Sequence, residues 1–354
     1  MNQTLYRELK ADIEQSLSKS QTLGAAVAVR LNGETFLEIG VGYQDLNHTQ
    51  PLSKDANFYV YSVTKSLLAT ASLDLVGKGV LNLDDSIQLH LPDFPLDTSI
   101  TLRHVLSHTS GLPDYGGMST YSNAVKATPT APWSEATFLK LATQNLRFLP
   151  GTGWQYSNIG YVVLKCILER VTGLSMQQLL HQVIFSPLSL QRTFVPKTLD
   201  DVAVLAPGYT TLFGGPELQN MTSLYHPGWV SHGVVVSTAP ELAKMIEALF
   251  LNKILSSALI EQMLDPVHIL GKYPLFEKLA YGLGLFIDLE SPYGLVAGHT
   301  GEGPGYSVAA FHFPNLVGSR ITIAAIVNQD RQDYGLVLVH RLVEVLKKLL
   351  ETQP

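Results

Sequence analysis

The chain has 354 residues, 46% hydrophobic and only 15% charged, which is enough apolar material for a sizeable core and excludes a small disulfide scaffold. Its one cysteine, Cys166, allows no disulfide within the chain. A formal net charge of -6 without any Lys/Arg-rich block leaves nucleic acid and anionic membrane with no footprint.

Residues 1–21, MNQTLYRELKADIEQSLSKSQ, read as an amphipathic helix rather than the apolar core of an export signal. No run reaches the roughly 18 apolar residues of a membrane span. A cytoplasmic protein is expected, or a periplasmic or secreted one if a signal has been trimmed away. Next, GAAVAVRL-NG-ETFLEIGVGY gives two β-type runs around Asn32-Gly33, a dipeptide suited to a tight hairpin because both positions take positive φ. From Ser62 to about Leu190 the pattern becomes helical. SLLATASLDLVGKG, TLRHVLSHTSG, SEATFLKLATQNL, GYVVLKCILERVTG and SMQQLLHQVIF each carry a 3.6-type apolar stripe with a Gly or Pro stop nearby. Cys166 falls on such a stripe and reads as a core thiol. Past Ala280 the short apolar runs YGLGLFIDL, YGLVAGH, YSVAAFHF and RITIAAIVN return between turn-rich segments, before a closing helix GLVLVHRLVEVLKKLLE.

Strands at both ends with helices between them predict an α/β fold of the α+β type. One antiparallel sheet is built from both termini, flanked by N- and C-terminal helices, with an all-helical subdomain inserted. The expected organisation is a single domain over 1–354, with a sheet region of 1–61 plus about 230–354 and a mainly helical region of about 62–229.

The stretch VYSVTKSLL sets Ser62 and Lys65 three residues apart at the head of an apolar helix. A serine hydroxyl is a weak nucleophile without a base, and a lysine serves as one when burial or nearby positive potential destabilises its ammonium. Positions i and i+3 share a helix face, and both lie at the positive end of the helix dipole. The spacing alone is weak, since Ser16 and Lys19 repeat it at the polar tail of the first helix, where Lys19 is simply solvated. Proton relay to a leaving group needs a second element, offered by Tyr156-Ser157-Asn158 in PGTGWQYSNIGY. Tyr121-Ser122-Asn123 repeats that tripeptide inside a Gly/Ser/Thr/Pro-rich stretch that reads as a surface loop. Tyr156 is preferred because Pro150-Gly151 pins its turn and an apolar helix follows. A third element, His299-Thr300-Gly301 in GHTGEGPGYSVAAF, opens a glycine-rich approach to a predicted strand whose free edge would lend an N–H to an oxyanion.

In this order the three elements resemble the S-x-x-K, Y-x-N and K/H-T-G motifs of serine β-lactamases and penicillin-binding proteins. LRHVLSHTSGLPDY, FLPGTGWQYSNIGYVVLKCILERVTG, GVVVSTAPELAKM and GHTGEGPGY look like landmark segments of the class C β-lactamase-related branch, so the likeness runs from about residue 20 to 340. It implies a β-lactamase/transpeptidase-like catalytic domain with one cleft between sheet and helices. It also implies Ser62 as the acylated nucleophile, Lys65 and Tyr156 sharing the proton traffic, and Asn158, His299, Thr300 and Gly301 lining the substrate site. The backbone N–H groups of Ser62 and Glu302 would form the oxyanion hole. His299 departs from the lysine of the β-lactamases and matches some carboxypeptidases and esterases.

The remaining candidates have plainer readings. His104 and His108 stand at i and i+4 but lack the glutamate of H-E-x-x-H, so they read as structural and no metal is expected. Asp84-Asp85 reads as a cap or turn. Gly301, Gly303 and Gly305 do not make a nucleotide-binding pattern, so no cofactor is expected. Tyr225, His226 and Trp229 suit either a pocket wall or loop packing. The expected activity is therefore a serine hydrolase acting on a small ester or amide through a Ser62 acyl-enzyme, of esterase or D-amino-acid amidase/peptidase type. The alternatives are a D-alanyl-D-alanine carboxypeptidase or β-lactamase, an acyltransferase sharing the acyl-enzyme, and a non-catalytic binding homologue. The sequence leaves the oligomeric state open.

Overall fold

The computed structural model describes residues 3–351. The chain's first strands, Gly24–Leu31 and Glu34–Gly42, pair as a hairpin whose turn residues Asn32 and Gly33 take φ of 52° and 96°. Because side chains alternate across a strand, GAAVAVRL serves two cores at once: Ala25, Val27 and Val29 face one, Ala26 and Ala28 the other. A run with no polar alternation is what a strand covered on both faces requires.

Among the described residues the sheet has eight strands. In spatial order they are Glu34–Gly42, Gly24–Leu31, Ser319–Val327, Tyr306–Leu316, Val296–Gly303, Phe286–Asp288, Phe276–Tyr281 and His268–Tyr273. Gly24–Leu31 pairs antiparallel with Ser319–Val327, from Ala25 opposite Val327 to Leu31 opposite Ile321, so strands far apart in sequence become second and third in the sheet. Helices Gln3–Ser20 and Tyr334–Glu351 cover one face, burying Leu9, Ile13, Val339 and Leu342. Helix Ala239–Phe250 and the helices between residues 64 and 180 close the other face around a larger core that holds Trp229, Tyr161 and Phe138. The fold is the expected α/β arrangement: an antiparallel sheet from both termini, terminal helices, and helices inserted between. Among the described residues no helix is long and apolar enough to cross a membrane.

Three local expectations need correction. The stretch around Tyr121 is not a loop but the helix Ser119–Ala127. Tyr121 and Val125, one turn apart, both pack into the core, an apolar stripe that its polar composition hides. TLRHVLSHTSG forms only the short helix Leu102–Leu106, because His108 adopts a left-handed φ of 61° and turns the chain away. His299-Thr300-Gly301 lies within the strand Val296–Gly303 rather than on the approach to one. The edge strand His268–Tyr273 was not foreseen; its HILGKY lacks clean alternation and its register is interrupted twice.

One buried ion pair ties helix to sheet. Glu247, in the helix Ala239–Phe250, accepts from Arg30 Nε and from Gly33 N at 3.1 Å, so it holds the first hairpin's turn. Side-chain exposures of 14% and 5% leave either charge uncompensated if the other is removed. Glu247→Ala should therefore lower unfolding stability by about 3 kcal/mol in urea titrations. A loss below about 0.5 kcal/mol would show that water replaces the carboxylate.

Candidate active site

Ser62 sits in a tight turn, Tyr61–Val63, that leads directly into the helix Thr64–Gly77. The preceding residue, Tyr61, has φ of 43°, a costly conformation for a non-glycine side chain. It is held there because its ring packs against Tyr59 and Tyr306 and its hydroxyl donates to the Pro304 carbonyl. Such over-determined strain is common at functional sites. The helix behind it is buried along most of its length, from Thr64 to Leu73, so Lys65 one turn on has no exposure.

Lys65 Nζ lies 3.0 Å from Ser62 Oγ, 2.7 Å from Asn158 Oδ1 and 3.3 Å from His232 Nε2. Burial drives its pKa down to about 7, against a smaller upward pull from the Asp114 carboxylate. A substantial fraction is thus the neutral amine near pH 7. That form has two N–H donors for Asn158 and His232 and one lone pair for the Ser62 proton, matching its three neighbours.

Tyr156 precedes the helix Asn158–Thr172, capped by Ser157 Oγ accepting from Gly160 N. Burial raises the Tyr156 phenol well above its ordinary range, and a hydrogen bond with Ser62 pulls the other way. It therefore keeps its proton as a donor. The loop after Leu106 fixes this tripeptide. His108 Nδ1 accepts from Ser157 N, its ring lies 4.2 Å from that of Tyr156, and Ser157 Oγ donates to Pro113 O. Asp114 Oδ1 accepts from both Asn158 N, at 2.8 Å, and Asn158 Nδ2, at 2.9 Å, which turns the amide oxygen toward Lys65.

The strand Val296–Gly303 supplies the third side. It pairs with Phe286–Asp288 only as far as Gly298, which leaves an unpaired edge from His299 onward beside the Ser62 turn. A Cβ on Gly301 would stand 2.3 Å from Val60 O and 3.2 Å from Ser62 N, so only glycine permits this approach. His299 is buried between Tyr281, whose hydroxyl is 3.0 Å from Nε2, and the Thr300 carbonyl, which meets Nδ1. A carbonyl only accepts, so Nδ1 carries the proton and Nε2 accepts from Tyr281. Burial and the nearby Lys65 push the imidazole pKa down to about 3, leaving it neutral. The Glu302 carboxylate is engaged by Ser307 Oγ and Asp333 N.

Ser62, Lys65, Tyr156, Asn158, His299, Thr300 and Gly301 are thus brought together. A cavity of about 180 Å³ opens on Ser62, walled by Tyr115, Tyr121, Asn158, Tyr225, His232 and Glu302. Sequence reasoning missed His232 and Asp114. Neither has motif spacing; their one signal is polarity in short glycine-containing loops, SHG and SGLPDYG.

A family model described as Beta-lactamase matches residues 9–345. The chain belongs to the beta-lactamase family. Within that family it is 28% identical over 343 residues to penicillin-binding protein 4* of Bacillus subtilis (strain 168), covering 93% of this chain and 73% of that protein. It is 31% identical over 202 residues to esterase EstB of Burkholderia gladioli, covering 53% of this chain and 51% of that one. Among solved structures, D-amino acid amidase from Ochrobactrum anthropi SV3, complexed with L-phenylalanine amide, superposes with a TM-score of 0.80 at 26% identity. The match covers 98% of this chain and 99% of that one.

The other candidates of this beta-lactamase-family chain lie elsewhere or have structural partners. Ser16 is buried under Tyr334, 2.8 Å from its hydroxyl, while Lys19 is exposed. His104 Nδ1 accepts from Thr101 N in a capping box, and Asp84 pairs with Arg103. Trp229 is fully buried with its indole N–H on Pro129 O, and His226 accepts from Gly228 N. Cys166 is half-buried, its thiol pushed up to about 12 by burial. Tyr121 donates to Trp229 O and lines the cavity, so it belongs to the site's wall rather than to a surface loop.

The arrangement can pass a proton from Ser62 to a neutral Lys65. That requires Lys65 deprotonated, so fluorophosphonate labelling of Ser62 should be slow at acid pH and rise through an apparent pKa near 7. Asp114→Asn removes the charge that pulls this pKa up, and the rise should shift to lower pH. A shift to higher pH would contradict the assigned sign.

Proposed function

We propose that the protein is a serine hydrolase that cleaves a small ester or amide through an acyl-enzyme on Ser62. The observation carrying this reading is the fully buried Lys65 amine 3.0 Å from Ser62 Oγ, with its pKa lowered to about 7. Ser62 Oγ attacks the carbonyl carbon as its proton passes to Lys65. The developing oxyanion is met by the backbone N–H groups of Ser62 and Glu302. The tetrahedral centre collapses when Tyr156 protonates the departing oxygen or nitrogen, and Lys65 returns a proton to Tyr156. Water then repeats the sequence on the acyl-enzyme and releases the acid. Asn158, held by Asp114, orients Lys65 and the substrate. On this reading the sheet region, 1–61 with about 230–354, and the helical region, about 62–229, are two parts of one catalytic domain meeting at the site.

Esterase or D-amino-acid amidase/peptidase activity is favoured over D-alanyl-D-alanine carboxypeptidase or β-lactamase activity. Two of the relatives are an esterase and a D-amino acid amidase. A buried neutral His299 also offers no fixed cation to a substrate carboxylate. Lys278 does not replace that cation, since its Nζ is 2.6 Å from Glu290, and Lys272 is 82% exposed.

Intact-mass and peptide analysis after fluorophosphonate treatment should place a single adduct on Ser62; an adduct surviving in Ser62→Ala sinks the assignment. Lys65→Ala and Tyr156→Phe should each slow acylation by at least about a hundredfold, and the double variant by less than their product. In a panel of p-nitrophenyl acetate, a chromogenic cephalosporin and a D-alanyl-D-alanine peptide, the ester should have the highest kcat/KM. A tenfold or greater preference for either other substrate would favour the penicillin-binding-protein reading.

A further inference from the structure

A second, larger cavity of about 390 Å³ adjoins the site on the far side of Tyr156 and Thr300. Its wall is mostly apolar, with Trp154, Leu270, Phe286 and Leu336 prominent, and Asp333 is the one charged residue lining it. Among the described residues no lysine or arginine lines the space.

The two cavities divide the catalytic groups between them. Ser62, Asn158 and Glu302 line the smaller one, whereas Tyr156, hydrogen-bonded to Ser62, lines the larger. The leaving atom must lie next to the group that protonates it. The departing half of the substrate therefore extends past Tyr156 into the larger space, and the acyl half stays in the smaller. We propose that the larger cavity is a leaving-group subsite selecting a bulky, apolar, uncharged alcohol or amine, and that Asp333 excludes leaving groups bearing a carboxylate.

This rests on the acyl-enzyme reading and names its substrate class. The step balances: the C–O or C–N bond to the leaving group breaks as the Ser62 ester forms. The proton lost by Ser62 Oγ reaches the departing atom through Lys65 and Tyr156, so a neutral alcohol or amine is released into the cavity. Apolar walls stabilise a neutral ring or alkyl chain by removing it from water. A carboxylate there would lose hydration beside a like charge with no cation to replace it.

The test compares matched acetate esters and corrects each kcat/KM for the ester's alkaline hydrolysis rate. 4-Carbamoylphenyl acetate should exceed 4-carboxyphenyl acetate by at least about tenfold, the scale of one unfavourable pocket contact. Moving from phenyl acetate to 2-naphthyl acetate should hold or raise kcat/KM, whereas phenyl 2-naphthoate, with the bulk on the acyl side, should fall by at least about tenfold. Asp333→Lys should reduce the carbamoyl-to-carboxyl ratio by about tenfold or more, and Asp333→Asn by less. Leu270→Trp should lower 2-naphthyl acetate relative to phenyl acetate. Each readout is a ratio within one preparation, so reduced folding yield does not mimic it. Equal or better turnover of the carboxylated ester, or acceptance of the naphthoate with rejection of naphthyl acetate, overturns the subsite while leaving the acyl-enzyme intact. Absence of both Ser62 labelling and ester turnover overturns both.

Discussion

Lys65 has no contact with water, and the rest of the site follows from that constraint. Lowering an ammonium from 10.5 to about 7 means that the interior disfavours its charged form by about 5 kcal/mol relative to the amine. The apolar helix Thr64–Gly77 supplies the burial, and the neighbouring polar groups limit it. Asp114 stands behind Asn158 rather than against Lys65, so its charge moderates the shift without neutralising the lysine in a salt bridge. A carboxylate in direct contact would have kept the ammonium.

The groups around Lys65 are neutral for the same reason. Tyr156, His299, His108 and His232 share a water-poor enclosure, and burial is the largest influence on each: the phenol stays protonated and the imidazoles stay uncharged. In such surroundings the Asp114 carboxylate is the charged group that acts on Lys65. The uncharged His299 is then part of the enclosure, bonded to Tyr281 and its own strand.

The fold was readable because its signals are local. Asn32-Gly33 takes positive φ wherever it falls in a tight hairpin, and GAAVAVRL has no polar face to give to solvent. Ser62, Lys65, Tyr156, Asn158 and His299-Thr300-Gly301 were readable because the helices or glycines flanking them set them apart from decoys of the same spacing. Asp114 and His232 were not. Each touches a site residue 44 or 167 positions away, and nothing in a loop's composition records so distant a partner. The Ser119–Ala127 helix was missed for a different reason. Three residues packed on the core, Tyr121, Ala124 and Val125, dock it, and tertiary packing overrides a sequence rich in Ser, Thr and Asn.

The pairing of Gly24–Leu31 with Ser319–Val327 also has a temporal side. During synthesis the first hairpin emerges with an edge open, and its partner is not made until the helices and strands between Thr64 and Leu316 have been translated. The strand that approaches Ser62, Val296–Gly303, comes almost as late and is held through Tyr306–Leu316 to that same partner. Contacts this remote in sequence form slowly, because loop closure must precede any gain from pairing. The nascent protein therefore carries Ser62 and Lys65 long before it has the third wall of the site. Any chaperone dependence should fall in this interval, when an apolar hairpin edge waits for a strand still to be translated.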